Sequence, residues 1–213
     1  MSKPLTQPQK DSVRQALNFL TKLLDCLDQS HDPGTDKNRE KEIRDVVADL
    51  LKMLDDGRID AETTGISEKA RTDGNGIHLN DESTYSMPGD LLLEDCQEGY
   101  FTSLWTIIET LIHEYAHYRR DTGLVGRVLR RVPDTFFGGA ALILKSLFGK
   151  TVRTWKWHEM QAYYFAYSML STLNHYLFMV CMNNPDCIPC CEQHQQNADE
   201  SKQRQDPHST YGN

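Results

Sequence analysis

The segment TLIHEYAHYRRD, residues 110–121, carries the pattern that decides the fold. In it His113 and His117 lie four residues apart, and Glu114 directly follows the first histidine. Residues i and i+4 of an α-helix share one face, so both imidazoles can reach one metal ion. Glu114 is turned by about 100° from His113, which leaves its carboxylate beside the ion and able to take a proton from a water. The spacing therefore predicts a helical zinc site with Glu114 as general base.

The third zinc ligand is predicted to come from a later helix. Catalytic zinc takes three protein ligands, and two histidines leave one of them to be found. Glu159 begins the segment EMQAYYFAYSML, in which the small residues Ala162 and Ala166 let one helix lie close to another. Such an approach brings the Glu159 carboxylate to the metal. The adjacent His158 is also able to ligate and stays open as the alternative.

The motif HEYAH, followed by a glutamate on a later helix, resembles the gluzincin branch of the zincin-type zinc metallopeptidases. The resemblance covers about residues 70–182. It implies an α+β, zincin-like fold that is mostly helical, with a small sheet whose edge strand precedes the active-site helix. It also implies hydrolysis of peptide bonds, one catalytic Zn²⁺, and a protein or peptide substrate.

In such a peptidase the substrate lies extended along the edge strand, where main-chain groups offer hydrogen bonds to a peptide. The segment DGNGIHLN, residues 73–80, has the turn residues and the alternation typical of this strand. The predicted strand residues are Ile77, His78, Leu79 and Asn80. A peptidase also needs a donor for the tetrahedral oxyanion. Candidates on the later helix, for which simple packing is the alternative, are Tyr163, Tyr167 and His175.

The length of 213 residues and the hydrophobic pattern predict a single domain over residues 1–195, and the resemblance implies that this domain is metallopeptidase-like. Two amphipathic packing helices are expected within residues 1–57, and the catalytic core follows in residues 58–182. Residues 196–213 are polar and lack a helical apolar pattern. They are predicted to form a disordered tail.

The charge distribution bears on possible partners. A net charge of −8 argues against nucleic-acid binding. The stretch 118–157 has the opposite character, with nine Lys or Arg against two acids. Because it also contains an apolar run, residues 136–150 are a candidate for contact with a membrane. A packed helical hairpin, or a lid over the site, is the alternative for this stretch.

The six cysteines bear on location and on a second metal. The first residues form no apolar leader, which predicts reduced thiols in the cytoplasm, or export without a classical signal peptide. Near the end of the chain, Cys187, Cys190 and His194 have a spacing that suits a structural zinc. Disulfides or free thiols are the alternatives for these cysteines.

Two other functions compete with the peptidase. A non-catalytic zincin-like binding or scaffold protein would keep the fold without turnover, but such a protein has no need of a base at Glu114. A helical di-iron protein would require a second E-x-x-H element on another helix. Glu159 is followed at that spacing by Ala162, which disfavours the di-iron site.

Overall fold

The computed structural model describes residues 2–30, 36–62, 69–80, 100–122 and 154–211. Within these ranges the chain is mostly helical with a small mixed sheet, which confirms the α+β class. The helices are α1 (Gln7–Ser30), α2 (Lys37–Asp55), α3 (Tyr100–Thr122), α4 (Thr154–Asn183), α5 (Cys191–Arg204) and α6 (Pro207–Tyr211). The strands are β1 (Ser2–Lys3), β2 (Ile59–Glu62), β3 (Ala70–Thr72) and β4 (Ile77–Asn80).

Helix α3, which carries the HEYAH motif, is the central element of the hydrophobic core. It contacts α1, α4 and α5 and packs against β3 and β4. Its apolar residues recur on more than one face, so Leu104, Trp105, Ile108 and Leu111 are all buried. A helix that is apolar nearly all round is stable only when other elements surround it. This environment fixes the helix that presents the two histidines.

The sheet has the strand order β1-β2-β4-β3. Strand β4 pairs in parallel with β2 and antiparallel with β3, and all four of its residues are buried. The prediction that Ile77–Asn80 forms the edge strand is therefore wrong. The edge beside α3 is β3 instead, because a tight turn folds the chain back between the two strands. In this turn the Asp73 carboxylate accepts hydrogen bonds from the Asn75 and Gly76 amides.

Gly76 is required where the turn enters β4. A Cβ atom at this position would lie 2.1 Å from the carbonyl oxygen of Arg58. No side chain fits at that distance, so the close approach of the Arg58 backbone explains the glycine. The approach also lets the Arg58 carbonyl accept a hydrogen bond from the Ile77 amide, which aligns β4 with β2.

The C-terminal segment is helical, so the predicted disordered tail is wrong for residues 196–211. Helix α5 packs against both α3 and α4, and α6 contacts the same region. The inward positions of α5 are His194, Ala198 and Ser201, with Gln205 just beyond its end. Small and polar residues produce a weak apolar pattern, although these four are buried at helical spacing.

Disulfide bonds tie the C-terminal region to the rest of the molecule. Cys26 of α1 is bonded to Cys187, and Cys181 of α4 is bonded to Cys191 of α5. Cys190 is disulfide-bonded as well. The predictions of reduced thiols and of a zinc site at Cys187 and Cys190 are therefore wrong, since these sulfurs are not available as thiolates. The bonds fit an extracellular or otherwise oxidising location rather than the cytoplasm.

The described helices and the predicted contact region bear on whether the protein meets a membrane. Among the described helices, none combines the length and the apolar character needed to span a membrane. Residues 136–150, the predicted contact region, lie outside the described residues. Contact of this stretch with a membrane stays a prediction.

Candidate metal centre

The structure brings His113, His117 and Glu159 together as a group that could hold a metal ion. The two Nε2 atoms are 3.2 Å apart, and each lies 3.5 Å from one oxygen of Glu159. Tetrahedral zinc with bonds of about 2.0–2.2 Å holds its ligand atoms roughly 3.3–3.6 Å apart. The observed separations of 3.2 and 3.5 Å are close to that spacing, with Oε2 of Glu159 nearest to His113 and Oε1 nearest to His117. Two imidazole nitrogens and a carboxylate are also a donor set that zinc accepts.

Two helices supply these ligands. The i, i+4 spacing on α3 brings the two imidazoles together, as predicted from the sequence. Their rings lie edge to face with centroids 5.0 Å apart. Glu159 lies in the second turn of α4, which packs directly on α3. Ala162 and Ala166 of α4 are both buried, and such small residues allow close helix packing. The side chain of His158, the alternative ligand, lies outside the described part of α4.

The electrostatics of the group favour a bound cation. Contacts with His113 and His117 hold the pKa of the Glu159 carboxyl well below its ordinary value. Burial lowers the pKa of His113, but Glu159, Glu114 and Gln205 outweigh it, and the net pKa is raised. A field that favours a proton on His113 favours a divalent cation at the same place. The three side chains are only 12–23% exposed, so solvent screens this field weakly.

Glu114, the predicted base, follows His113 on α3, contributes to the raised pKa of that histidine and is itself buried. Its Oε2 atom accepts a hydrogen bond of 2.7 Å from the hydroxyl of Thr72, the last residue of the edge strand β3. One lone pair of the carboxylate is occupied in this way, and the orientation of the side chain is fixed. The contact also places the edge of the sheet next to the candidate metal centre.

The second nitrogen of His113 is held by residues that sequence reasoning missed. Its Nδ1 lies 2.9 Å from Oε1 of Gln205, and the amide nitrogen of Gln205 donates to Glu109 over 3.2 Å. Arg204 donates to the same carboxylate over 2.7 Å, and the Lys69 ammonium is 3.6 Å away. Glu109 precedes His113 by one helical turn, which was the signal available in the sequence. The sequence offered no such signal for Gln205, because this residue lies in the segment predicted to be disordered.

Of the three predicted oxyanion donors, only Tyr163 is at the site. Its ring centroid lies 4.6 Å from that of His113. Tyr167 is eight residues beyond Glu159 on α4, which is about 12 Å along the axis at 1.5 Å per residue. His175 is sixteen residues beyond, about 24 Å, and is exposed beside Tyr176. The structure therefore does not bring Tyr167 and His175 to the metal centre.

The predicted substrate strand does not offer a free edge. Ile77 and Leu79 are buried in the core, and the Asn80 amide donates to the Lys69 carbonyl. The His78 side chain is buried, and its Nδ1 lies 2.6 Å from the Asp60 carboxylate. Burial lowers the pKa of His78, but Asp60 and Asp73 outweigh it and raise the pKa overall. The four residues of β4 thus support the sheet that carries β3.

His194 is a core residue and is not in the described group that could hold a metal ion. It is fully buried, stacks on Phe19 with ring centroids 4.4 Å apart, and accepts a hydrogen bond of 3.3 Å from the Trp105 indole. Burial lowers its pKa from 6.5 to about 3. Because Cys187 and Cys190 are disulfide-bonded, His194 alone remains of the predicted second zinc site.

The buried neutral state of His194 predicts acid sensitivity. Below pH 6.5 the unfolded chain takes up a proton at His194 that the folded chain does not bind until about pH 3. The free energy of unfolding should therefore fall by about 1.4 kcal/mol per pH unit over this window. Chemical unfolding of wild type and His194→Gln between pH 7 and pH 4 measures the difference. Parallel pH profiles of the two proteins would contradict the expectation.

Comparison with known protein families, curated proteins and solved structures finds no match to this chain. The assignment of a possible metal centre rests on the His113, His117 and Glu159 geometry.

Proposed function

We propose that this protein is a zinc-dependent metallopeptidase that works in an oxidising location. The observation that carries the proposal is the convergence of His113, His117 and Glu159 from two helices, with atom separations close to those around tetrahedral zinc. The presence of Glu114 directly beside this group distinguishes a hydrolytic site from a purely structural one. Structural zinc sites have four protein ligands and need no base.

Each side chain has a separate role in the proposed reaction. Zinc bound there would lower the pKa of a water molecule to about 7 and polarise a substrate carbonyl. Glu114 takes the proton of the attacking water and passes it to the leaving amine. Thr72 holds one carboxylate oxygen of Glu114, which leaves the other for the proton transfer. Gln205, through its contact with Nδ1, orients His113.

The proposed substrate is a protein or peptide in extended conformation. Strand β3 is the edge of the described sheet beside α3, and its residue Thr72 touches Glu114. A peptide that adds to this edge therefore passes the metal centre. Tyr163, which packs against His113, is our candidate donor for the oxyanion that forms on the substrate carbonyl.

Zinc content tests the site before any substrate is known. Elemental analysis of the wild type should give about one zinc per chain, since the cysteines of the C-terminal region are disulfide-bonded and hold none. His117→Ala removes one of two imidazole ligands, so most of the zinc should be lost. His175→Ala is the matched control, because this histidine is exposed on α4 and far from Glu159.

Three outcomes separate the possibilities. Loss of zinc in His117→Ala but not in His175→Ala supports the site. Equal zinc in all three proteins places the ion elsewhere. Zinc-free wild type, even after incubation with zinc, overturns the proposed function.

A further inference from the structure

We propose that Gln205 is a positioning residue of the metal centre, and that the C-terminal segment is thereby part of the site. The inference rests on the proposed zinc site. Gln205 touches no metal and no substrate in this scheme. Its role is to fix which nitrogen of His113 carries the proton, so that Nε2 is ready to bind the ion.

The first step concerns the tautomer of His113. A neutral imidazole has one N–H donor and one acceptor nitrogen, and the partner of either nitrogen decides which is which. The partner of Nδ1 is the amide oxygen of Gln205 at 2.9 Å, which only accepts. Nδ1 therefore carries the hydrogen. Nε2, the atom that faces His117 and Glu159, keeps its lone pair for a metal.

The second step concerns the orientation of the Gln205 amide, whose oxygen and nitrogen are similar in size. The Glu109 carboxylate is an acceptor, and it takes a hydrogen bond of 3.2 Å from the amide nitrogen. A flipped amide would set its oxygen against this carboxylate and its NH₂ group against Nδ1–H. The contact between the amide oxygen and the Glu109 carboxylate would be repulsive whatever the tautomer of His113, so Glu109 holds the oxygen towards His113.

The third step is the anchoring of Glu109 itself. Arg204, the residue before Gln205, donates to Oε2 of Glu109, and Lys69 lies 3.6 Å from Oε1. Two adjacent residues of the C-terminal segment thus form hydrogen bonds with two residues one turn apart on α3. Arg204 binds Glu109, and Gln205 binds His113. The side chains of Glu109 and Gln205 are buried, so water does not compete for these hydrogen bonds.

The position of Gln205 depends on the docking of α5. Gln205 follows the last residue of α5. Its backbone N–H donates a hydrogen bond to the Lys202 carbonyl at the C-terminal end of the helix. The buried Ala198 and Ser201 let α5 lie close to α3 and α4. Outer-sphere hydrogen bonds of this kind commonly orient metal-binding histidines and strengthen binding. Here the hydrogen bond comes from the last part of the described chain.

The test compares two substitutions at position 205 that separate positioning from folding. Gln205→Met keeps the volume and adds no charge but removes the acceptor for Nδ1–H. Gln205→Glu keeps an acceptor facing His113 but sets a second carboxyl group against Glu109, which should lower stability. Gln203→Met, at an exposed position of the same helix end, is the control. The probe is Zn²⁺ alone, in competition with a chromophoric chelator.

We expect Gln205→Met to bind zinc about 10- to 100-fold more weakly than the wild type. Gln205→Glu should bind zinc at least as tightly as the wild type, despite its lower thermal stability. Nitrogen NMR of the zinc-free proteins, at an alkaline pH where the His113 imidazole is neutral, should show the hydrogen on Nδ1 in the wild type and in Gln205→Glu. In Gln205→Met both tautomers should be populated. A merely structural role would make zinc affinity follow stability and leave the tautomer unchanged.

Two results would overturn the inference. One is wild-type zinc affinity in a folded Gln205→Met protein. The other is a wild-type His113 whose proton is on Nε2. If the wild type binds no zinc, the proposed function fails, whereas the tautomer measurement still decides whether Gln205 sets the proton position of His113.

Discussion

Glu114→Gln should lower peptide hydrolysis by about a hundred- to ten-thousand-fold and leave the zinc content of the wild type in place. Glutamine has nearly the shape of glutamate but does not accept a proton near neutral pH. The amide oxygen still accepts the hydrogen bond from the Thr72 hydroxyl, so the packing between β3 and α3 is preserved. Because Glu114 is not one of the three grouped ligands, the metal is retained.

The measurement is kcat/KM on a mixture of fluorogenic peptides, with zinc content determined on the same samples. Glu192→Gln is the matched control, since Glu192 is an exposed residue in the first turn of α5. Equal activity in Glu114→Gln and the wild type would sink the proposed mechanism. Zinc-loaded wild type that cleaves no peptide in a broad mixture would favour the non-catalytic binding protein.

The geometry of the ligands was the part of the site most accessible from sequence. The i, i+4 spacing of His113 and His117 fixes their relative position once α3 is helical, whatever the rest of the fold does. The position of Glu159 depended on a tertiary contact. It was still predictable, because alanines at helical spacing mark a face where another helix lies close. The first prediction concerns geometry within one helix, and the second concerns how two helices pack.

The arrangement of strands could not be predicted in the same way. Alternation in IHLN indicates a strand but does not say which strands flank it. Strand β3 has only three residues, Ala70–Thr72, and its partner in the sheet is chosen by the turn at Asp73–Gly76. Consequently the edge was assigned to β4 although β3 occupies it. The contact between Thr72 and Glu114 was missed for the same reason.

The C-terminal segment was wrongly predicted to be disordered because several of its buried residues are polar. Helix α5 has a low apolar content, and its inward residues include Ser201 and His194. Hydropathy patterns detect apolar faces, whereas this helix is held by hydrogen bonds and disulfides. A cysteine pairing such as Cys26 with Cys187, 161 residues apart, leaves no local signal in the sequence. The contact of Gln205 with His113 at the candidate metal centre therefore could not be predicted from the sequence.

Removal of the disulfide between Cys26 and Cys187 should cost more stability than any other single change considered above. Replacement of both cysteines by alanine frees a loop of 161 residues in the unfolded chain. Chain entropy for a loop of this length predicts a loss of about 5 kcal/mol in the free energy of unfolding. That loss is a large share of the roughly 5–15 kcal/mol by which most proteins are stable.

The bond between Cys181 and Cys191 provides the internal comparison, because it spans only 10 residues. Its replacement by two alanines should cost about 3 kcal/mol by the same chain entropy. Guanidinium unfolding of both double variants and the wild type, all without zinc, measures the two losses, since bound metal would add its own stabilisation. A larger loss for the short loop would contradict the entropic account. It would mean instead that the docking of α5 onto α4, which this bond secures, contributes more to stability than the long loop does.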